Sequence, residues 1–295
     1  MLTLATPKID DLVYACVMGR AGEFKSIAIY IGEEVHTWVD MMSSEEPADT
    51  LIGKQDCMLC NFSSRDDTLP QNRKIIKEIG LSFRGEWISF ESHKTGFVPY
   101  VLDIKQVKIM LDALRNFYMT FRAIIENGAT ADFEHGETLL RVYDEKAKLW
   151  RTIRSPLLIP KADLPVVKID AKQAREEILT QPCNNRELEF DFTTYFPIPT
   201  RGEKGKPDVY PLALIIADHR FKRIMFSHLD YGDNYEKKAA TVFLNMIEDI
   251  GRPKTVFVRN ELAESVLSDI CKKAKITLKV SPKLDAIDKF LLNFL

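Results

Sequence analysis

The pair Cys57-Met-Leu-Cys60 has the spacing with which two thiolates hold a soft metal or form a redox couple. A zinc set needs two further ligands, and the other cysteines, Cys16, Cys183 and Cys271, are scattered and form no second pair. The pair also lies in Asp56-Cys-Met-Leu-Cys-Asn-Phe62, which reads as a strand. Strand residues three apart point to opposite faces, so the expectation is two structural cysteines. An odd number of cysteines without framework spacing argues against disulfides and fits a reducing compartment. His36, His93, His135, His219 and His228 show neither ligand spacing nor the order of a catalytic triad. No glycine-rich phosphate loop, nucleophile elbow or zinc-protease motif occurs. The stretch His93-Lys-Thr-Gly-Phe-Val-Pro-Tyr100 admits two readings: an exposed recognition surface anchored by aromatics, or a hairpin that packs Phe97 and Tyr100 on the core.

The elements that must position any chemistry are clearest from Arg186 to Leu295. Leu188, Phe190 and Phe192 alternate with Glu189, Asp191 and Thr193, the period of a strand with one buried face. Leu212 to Ala217 is an apolar run suited to a strand buried on both faces. A short connection from Asp218 to Arg223 makes it a hairpin with Ile224 to Leu229, with Asp218 as a turn residue. Ala239, Val242, Phe243, Met246, Ile247 and Ile250 then fall at helical spacing, stopped by Gly251 and Pro253. Val256 to Val258 follows as a strand, Leu262 to Ala274 as a helix capped by Asn260, Ile276 to Val280 as a strand, and Leu284 to Phe294 as a last helix with Ser281 and Pro282 at its start. The order is β-β-β-α-β-α-β-α, and right-handed crossovers make a mixed sheet with only its second strand antiparallel and helices on its faces.

This order is the ribonuclease H-like topology, and in detail the segment resembles the retroviral-integrase and transposase core. Glu189-Phe-Asp-Phe-Thr193 is similar to that core's first-strand motif, and Gly251-Arg-Pro-Lys-Thr-Val256 to the segment leading into its fourth strand. A second resemblance spans nearly the whole chain. Trp87-Ile-Ser-Phe-Glu-Ser-His-Lys-Thr-Gly-Phe-Val-Pro-Tyr100, Val258-Arg-Asn-Glu261 and Leu284-Asp-Ala286 are similar to a family of uncharacterised bacterial proteins built from two domains of unknown function. That likeness implies no activity, but it implies that the two halves belong together.

The remaining sequence supports a two-domain chain. At 295 residues, 45% hydrophobic and 28% charged, it has the composition expected of a soluble globular protein, and its elements read as α/β. No apolar stretch is long enough to span a bilayer and the start lacks the form of a signal peptide, so the expectation is a cytoplasmic protein with no membrane partner. The first 130 residues read as an α+β domain. They comprise a hairpin of Leu12 to Met18 and Phe24 to Ile31, a helix from Glu33, the Cys57 strand, a helix from Pro70 to Ile79, strands at Trp87 to Phe90 and Val98 to Val101, and a long amphipathic helix. That helix carries Val107, Met110, Leu111, Leu114, Phe117, Tyr118, Phe121 and Ile125 as its apolar face. Residues 131–185 read as a connecting hairpin, Leu139 to Tyr143 with Leu149 to Ile153, and a proline-marked linker with a short helix from Ala171 to Leu179; residues 186–295 form the ribonuclease H-like domain.

The integrase resemblance implies an acidic set that holds two divalent ions, Mg²⁺ or Mn²⁺, for phosphodiester chemistry. Carried onto this sequence, its first-strand carboxylate is Asp191. Its fourth-strand position falls on Arg259-Asn260, where Asn260 offers one neutral oxygen and Glu261 is a partial substitute. Its last-helix carboxylate is Asp285 or Asp288, three apart on one helix face, with Asp285 matching the Leu-Asp of the bacterial family. The implied catalytic set is therefore Asp191, Asn260 and Asp285, and the implied metal set Asp191, Glu261 and Asp285. Each has a plainer reading: Asp191 as a polar residue on a solvated strand face, Asn260 as a helix cap, Asp285 as a complement to a helix dipole. Net charge is −2, and residues 186–295 carry 18 basic against 16 acidic side chains, without the basic excess of a protein gripping many phosphates. The broken acidic set and this balance favour a non-catalytic binding or interaction protein with a nucleic-acid or protein partner; the alternative is a metal-dependent nuclease or strand-transfer enzyme.

Overall fold

The computed structural model of the chain describes residues 1–6, 9–19, 25–43, 54–170, 172, 178–196, 198–202, 205–231 and 234–294. It is mixed α/β and divides into two compact units, Met1–Ala162 and Asp163–Leu295.

The first unit is built on an eight-stranded mixed sheet. Its strands are β1 (Leu2–Ala5), β2 (Val13–Met18), β3 (Lys25–Ile31), β4 (Cys57–Ser63), β5 (Trp87–His93), β6 (Tyr100–Val101), β7 (Glu137–Asp144) and β8 (Leu149–Pro156), and they lie in the order β6-β5-β4-β3-β2-β1-β7-β8. The expected β2–β3 hairpin is present, while residues 20–24 of its turn lie outside those described. The hairpin expected in the connector is instead the far edge of this sheet: β7 pairs in parallel with β1, and β8 pairs antiparallel with β7. The short N-terminal strand β1, which the sequence pattern does not announce, supplies the edge that recruits it.

Among the described residues the α-helices of the unit are α1 (Val35–Ser43), α2 (Pro70–Glu78) and α3 (Ile104–Asn127). Pro70 opens α2 where its missing N–H costs nothing. The helix α3 begins with a capping box in which the Asp103 carboxylate accepts from the Gln106 amide and the Gln106 side chain accepts from the Asp103 amide. Met110 and Ala113 of α3 pack with Leu4, Val13, Ile29, Met58 and Cys60 on one face of the sheet. Tyr14, Ala28, Tyr30, Cys57 and Leu59 pack with Val35 of α1 on the other. The apolar stripe expected to form one buried face of α3 is in fact divided. Met110, Leu114 and Phe117 meet the sheet, whereas Val107, Leu111, Tyr118, Phe121 and Ile125 are exposed.

Among its described residues the second unit holds a five-stranded sheet and three α-helices, which follow one another in the expected succession from residue 186 onward. These are β9 (Glu187–Tyr195), β10 (Leu212–Asp218), β11 (Arg223–Asp230), α4 (Tyr235–Ile250), β12 (Thr255–Val258), α5 (Glu261–Ala274), β13 (Thr277–Val280) and α6 (Asp285–Leu291). The strands lie in the order β11-β10-β9-β12-β13, with β10 antiparallel to both neighbours and β9, β12 and β13 mutually parallel. The helix expected from Ala171 to Leu179 lies largely outside the described residues. Gly251 ends α4 at φ +83°, a conformation L side chains rarely adopt, and a Cβ there would stand 2.6 Å from the Pro182 carbonyl oxygen.

Two layers cover this sheet. Leu188, Phe190 and Phe192 face α4 and α5, joining Phe243, Ile247, Val266, Leu267 and Ile270 in one core. On the opposite face Ala213, Ile215 and Ala217 pack beneath Leu284, Ala286 and Ile287. The strand β9 is thus buried on both sides, and the expected solvated face does not exist: Glu189 and Asp191 are each 0% exposed. Alternation along a strand reports polarity only, and cannot register that a distant helix will cover the polar side.

Candidate functional site

Phe190 is the last β9 residue paired with β12, opposite Val258, so Asp191 and Arg259 stand side by side where β12 ends. Arg259 donates from Nε to an Asp191 carboxylate oxygen at 2.6 Å, from Nη2 to Asp288 of α6 at 2.7 Å, and from Nη1 to the Pro282 carbonyl at 3.1 Å. The other claims on Asp191 come from its own strand: the Thr193 amide and hydroxyl at 2.9 Å each, and the Thr194 hydroxyl at 2.7 Å. Burial alone would lower the basicity of Arg259, but the charges and hydrogen bonds of Asp191 and Asp288 outweigh it and raise its pKa above the ordinary arginine value. Two carboxylates from separate elements are thus joined by one delocalised cation whose planar fork suits them both.

Asn260 extends the same cluster. Its Oδ1 accepts from the Ala263 amide at 3.0 Å, capping α5 as expected, and its amide nitrogen donates to the Thr193 hydroxyl, also at 3.0 Å. Asn260→Ala is expected to cost about 1 kcal/mol through the lost cap, read as a lower urea midpoint. Asn260→Asp, which retains an acceptor at that position, is expected to lose less.

A second buried carboxylate lies two residues earlier on the same strand face. Glu189 accepts from His219 Nδ1 at 2.7 Å and Lys222 Nζ at 3.3 Å through one oxygen, and from the amides of Ala286 and Ile287 at 2.8 and 3.1 Å through the other. It does the work expected of Ser281: α6 begins at Asp285 without a cap from its own flanking sequence, and Ser281 instead donates to the Lys283 carbonyl. The first-turn amides of a helix need an acceptor, and a carboxylate there also complements the dipole. Lys222 also donates to Asp285 at 3.3 Å, and this hydrogen bond with its charge holds the Asp285 carboxyl below the usual range.

The residues proposed from sequence therefore divide. Asp191 and Asn260 meet through Thr193, and Asp288, the alternative on the last helix, joins Asp191 through Arg259. Asp285 turns to Lys222 and Lys283, and Glu261 is exposed on the first turn of α5. Asp218 is a turn residue as expected, its carboxylate accepting from the Arg220 and Phe221 amides. Among the described residues, no group of three His, Cys, Asp or Glu side chains is placed to hold a metal. Sequence alone marks Arg259 only as standing where an acid is expected. A cation at that place, with two acids on one face of an apolar strand, is the signal available there.

In the first unit, Cys57 and Cys60 face opposite cores, and burial pushes both thiols up, Cys60 to about 11. They are structural. The stretch from His93 to Tyr100 is not an exposed surface: His93 is buried, with Nε2 3.4 Å from Glu91, while Phe97 and Tyr100 are half-buried.

Residues 1–141 match the family model of a domain of unknown function, DUF7309, and residues 175–295 that of a second, DUF6930. The chain is thus similar to two families without an assigned activity. No curated protein matches it. Among solved structures it is similar, at 13% identity and a TM-score of 0.27, to a chain in the cryo-EM structure of the simian T-cell lymphotropic virus intasome in complex with PP2A regulatory subunit B56 gamma. That similarity covers 44% of this chain and 42% of the other. Among the described residues, no helix is long and apolar enough to cross a membrane.

Proposed function

We propose that residues 186–295 form a ribonuclease H-like module that binds without cutting, and that the chain is a non-catalytic interaction protein with a nucleic-acid or protein partner. Support for the architecture comes from the strand order, with its second strand antiparallel and its first beside its fourth. The observation that carries the functional reading is Arg259. A divalent ion bridging the first strand and last helix would need the carboxylate oxygens of Asp191 and Asp288 that this guanidinium takes. The remaining acceptor capacity of Asp191 is claimed by Thr193 and Thr194. As arranged, these residues do not fit a two-ion centre, and no step is assigned to Mg²⁺ or Mn²⁺.

The alternative, a metal-dependent nuclease or strand-transfer enzyme, draws on the convergence of Asp191 and Asn260 at one strand end. It requires Arg259 to withdraw and Asp285 to leave Lys222. The test uses the full chain with labelled single- and double-stranded oligonucleotides in Mg²⁺ or Mn²⁺. Expected are no cleavage above buffer and no rise in melting temperature on adding Mn²⁺. Cleavage that Asp191→Asn abolishes would overturn the proposal.

A further inference from the structure

The exposed side of α3 carries a regular seam. Ile104, Val107, Leu111, Leu114, Tyr118, Phe121 and Ile125 are spaced alternately three and four apart over three heptads. Six of the seven are exposed, with Ile104 at 77%, Tyr118 at 58% and Ile125 at 67%, although burying them would be favourable. A helix that packs only on a sheet needs one apolar stripe, and α3 already has it in Met110, Ala113 and Phe117. The second stripe runs about 32 Å along the helix and exposes several hundred Å², the size at which an apolar patch on a monomer is often functional. Three-and-four spacing is the pattern by which a second helix is received, knobs into holes.

Charge selects the kind of helix. Lys108, Arg115 and Arg122 repeat every seven residues along one flank of the seam and are exposed, with Arg122 paired to Glu126 at 2.7 Å. The opposite flank is Met110, Phe117 and Ile124, which pack on the unit's own sheet core. Two copies of α3 paired antiparallel would bring one basic row against the other. Paired in parallel, each basic row would face a flank already occupied by the partner's sheet. We propose that this seam docks an amphipathic helix of another protein, with an apolar stripe flanked by glutamate or aspartate. The proposal concerns the first unit and stands apart from the reading of Arg259.

The probe is a synthetic three-heptad helix with Leu and Ile at the seam positions and Glu on both flanks, which discourages self-pairing; a second peptide carries Lys on the flanks. The full chain is expected to bind the Glu-flanked peptide at least about tenfold more tightly than the Lys-flanked one, a difference worth about 1.4 kcal/mol. Leu111→Glu with Tyr118→Glu should reduce binding about tenfold or more. Both side chains are exposed, so folding should survive, as circular dichroism would report. Lys108→Glu with Arg115→Glu should reverse the preference toward the Lys-flanked peptide. Equal binding of the two peptides, or none, overturns the proposal. So does self-association of the chain that Leu111→Glu disperses, which would make a second copy the occupant. Binding to phosphatidylserine vesicles without peptide binding would overturn it in favour of a lipid surface.

Discussion

Asp191→Ala is expected to destabilise the second unit by about 3–5 kcal/mol, the usual cost of removing one partner from a buried ion pair. Asp191 is 0% exposed and its carboxylate receives four hydrogen bonds, so its loss leaves Arg259 Nε, two threonine hydroxyls and the Thr193 amide without that acceptor. The charge dominates. Asp288 still faces Arg259, but that carboxylate is a third exposed and is the weaker, solvent-screened half of the cluster. Urea unfolding, with tryptophan-independent detection such as far-ultraviolet dichroism, measures the effect. A double variant, Asp191→Ala with Arg259→Met, removes the stranded cation and should recover part of the loss. Asp191→Ala costing less than about 1 kcal/mol would mean that Arg259 swings freely to solvent, and would remove the observation on which the non-catalytic reading rests.

Glu189→Ala is expected to cost about 3 kcal/mol by a different route, because buried amides left without an acceptor lose their full solvation. Its ion pairs contribute less, since His219 is 34% and Lys222 41% exposed and water screens both. The larger share lies with the Ala286 and Ile287 amides at the start of α6. Hydrogen exchange should therefore accelerate at α6 well before it does at α4 or α5, a local opening and not a uniform loss. Glu189→Gln keeps one oxygen for those amides and should lose less. Uniform acceleration across the unit would show that Glu189 holds the sheet as a whole and does not act as the cap of α6.

The two predictions concern residues that the sequence presents very differently. Asp191 is legible as a candidate because it sits mid-strand as a charged residue between two phenylalanines. Glu189 sits in the same alternation and does not stand out, since its importance depends on a helix 97 residues later in the chain. Asn260 is legible as a cap because a cap is local: the acceptor and its amide are three residues apart. Ser281 misleads for the same reason in reverse, a good local cap displaced by a buried carboxylate from another strand. The stripe on α3 is likewise recognisable as apolar but not as two stripes, since a helical period does not say which of its positions will find a sheet.

What the amino-acid order determined by itself was the succession of elements in the second unit: period two or an unbroken apolar run for the strands, three-and-four for the helices, Gly251 and Asn260 as boundaries. These follow from interactions within a few residues, which any stretch of chain makes wherever it lies. What only the tertiary structure decided was the pairing of charges. Arg259 meets Asp191 and Asp288 because β12 lies beside β9 and α6 covers the same face, and β7–β8 joins the first sheet because β1 offers an edge. Such partners are fixed by burial, which compels each charged or unpaired group to find its complement among whatever residues the fold brings close.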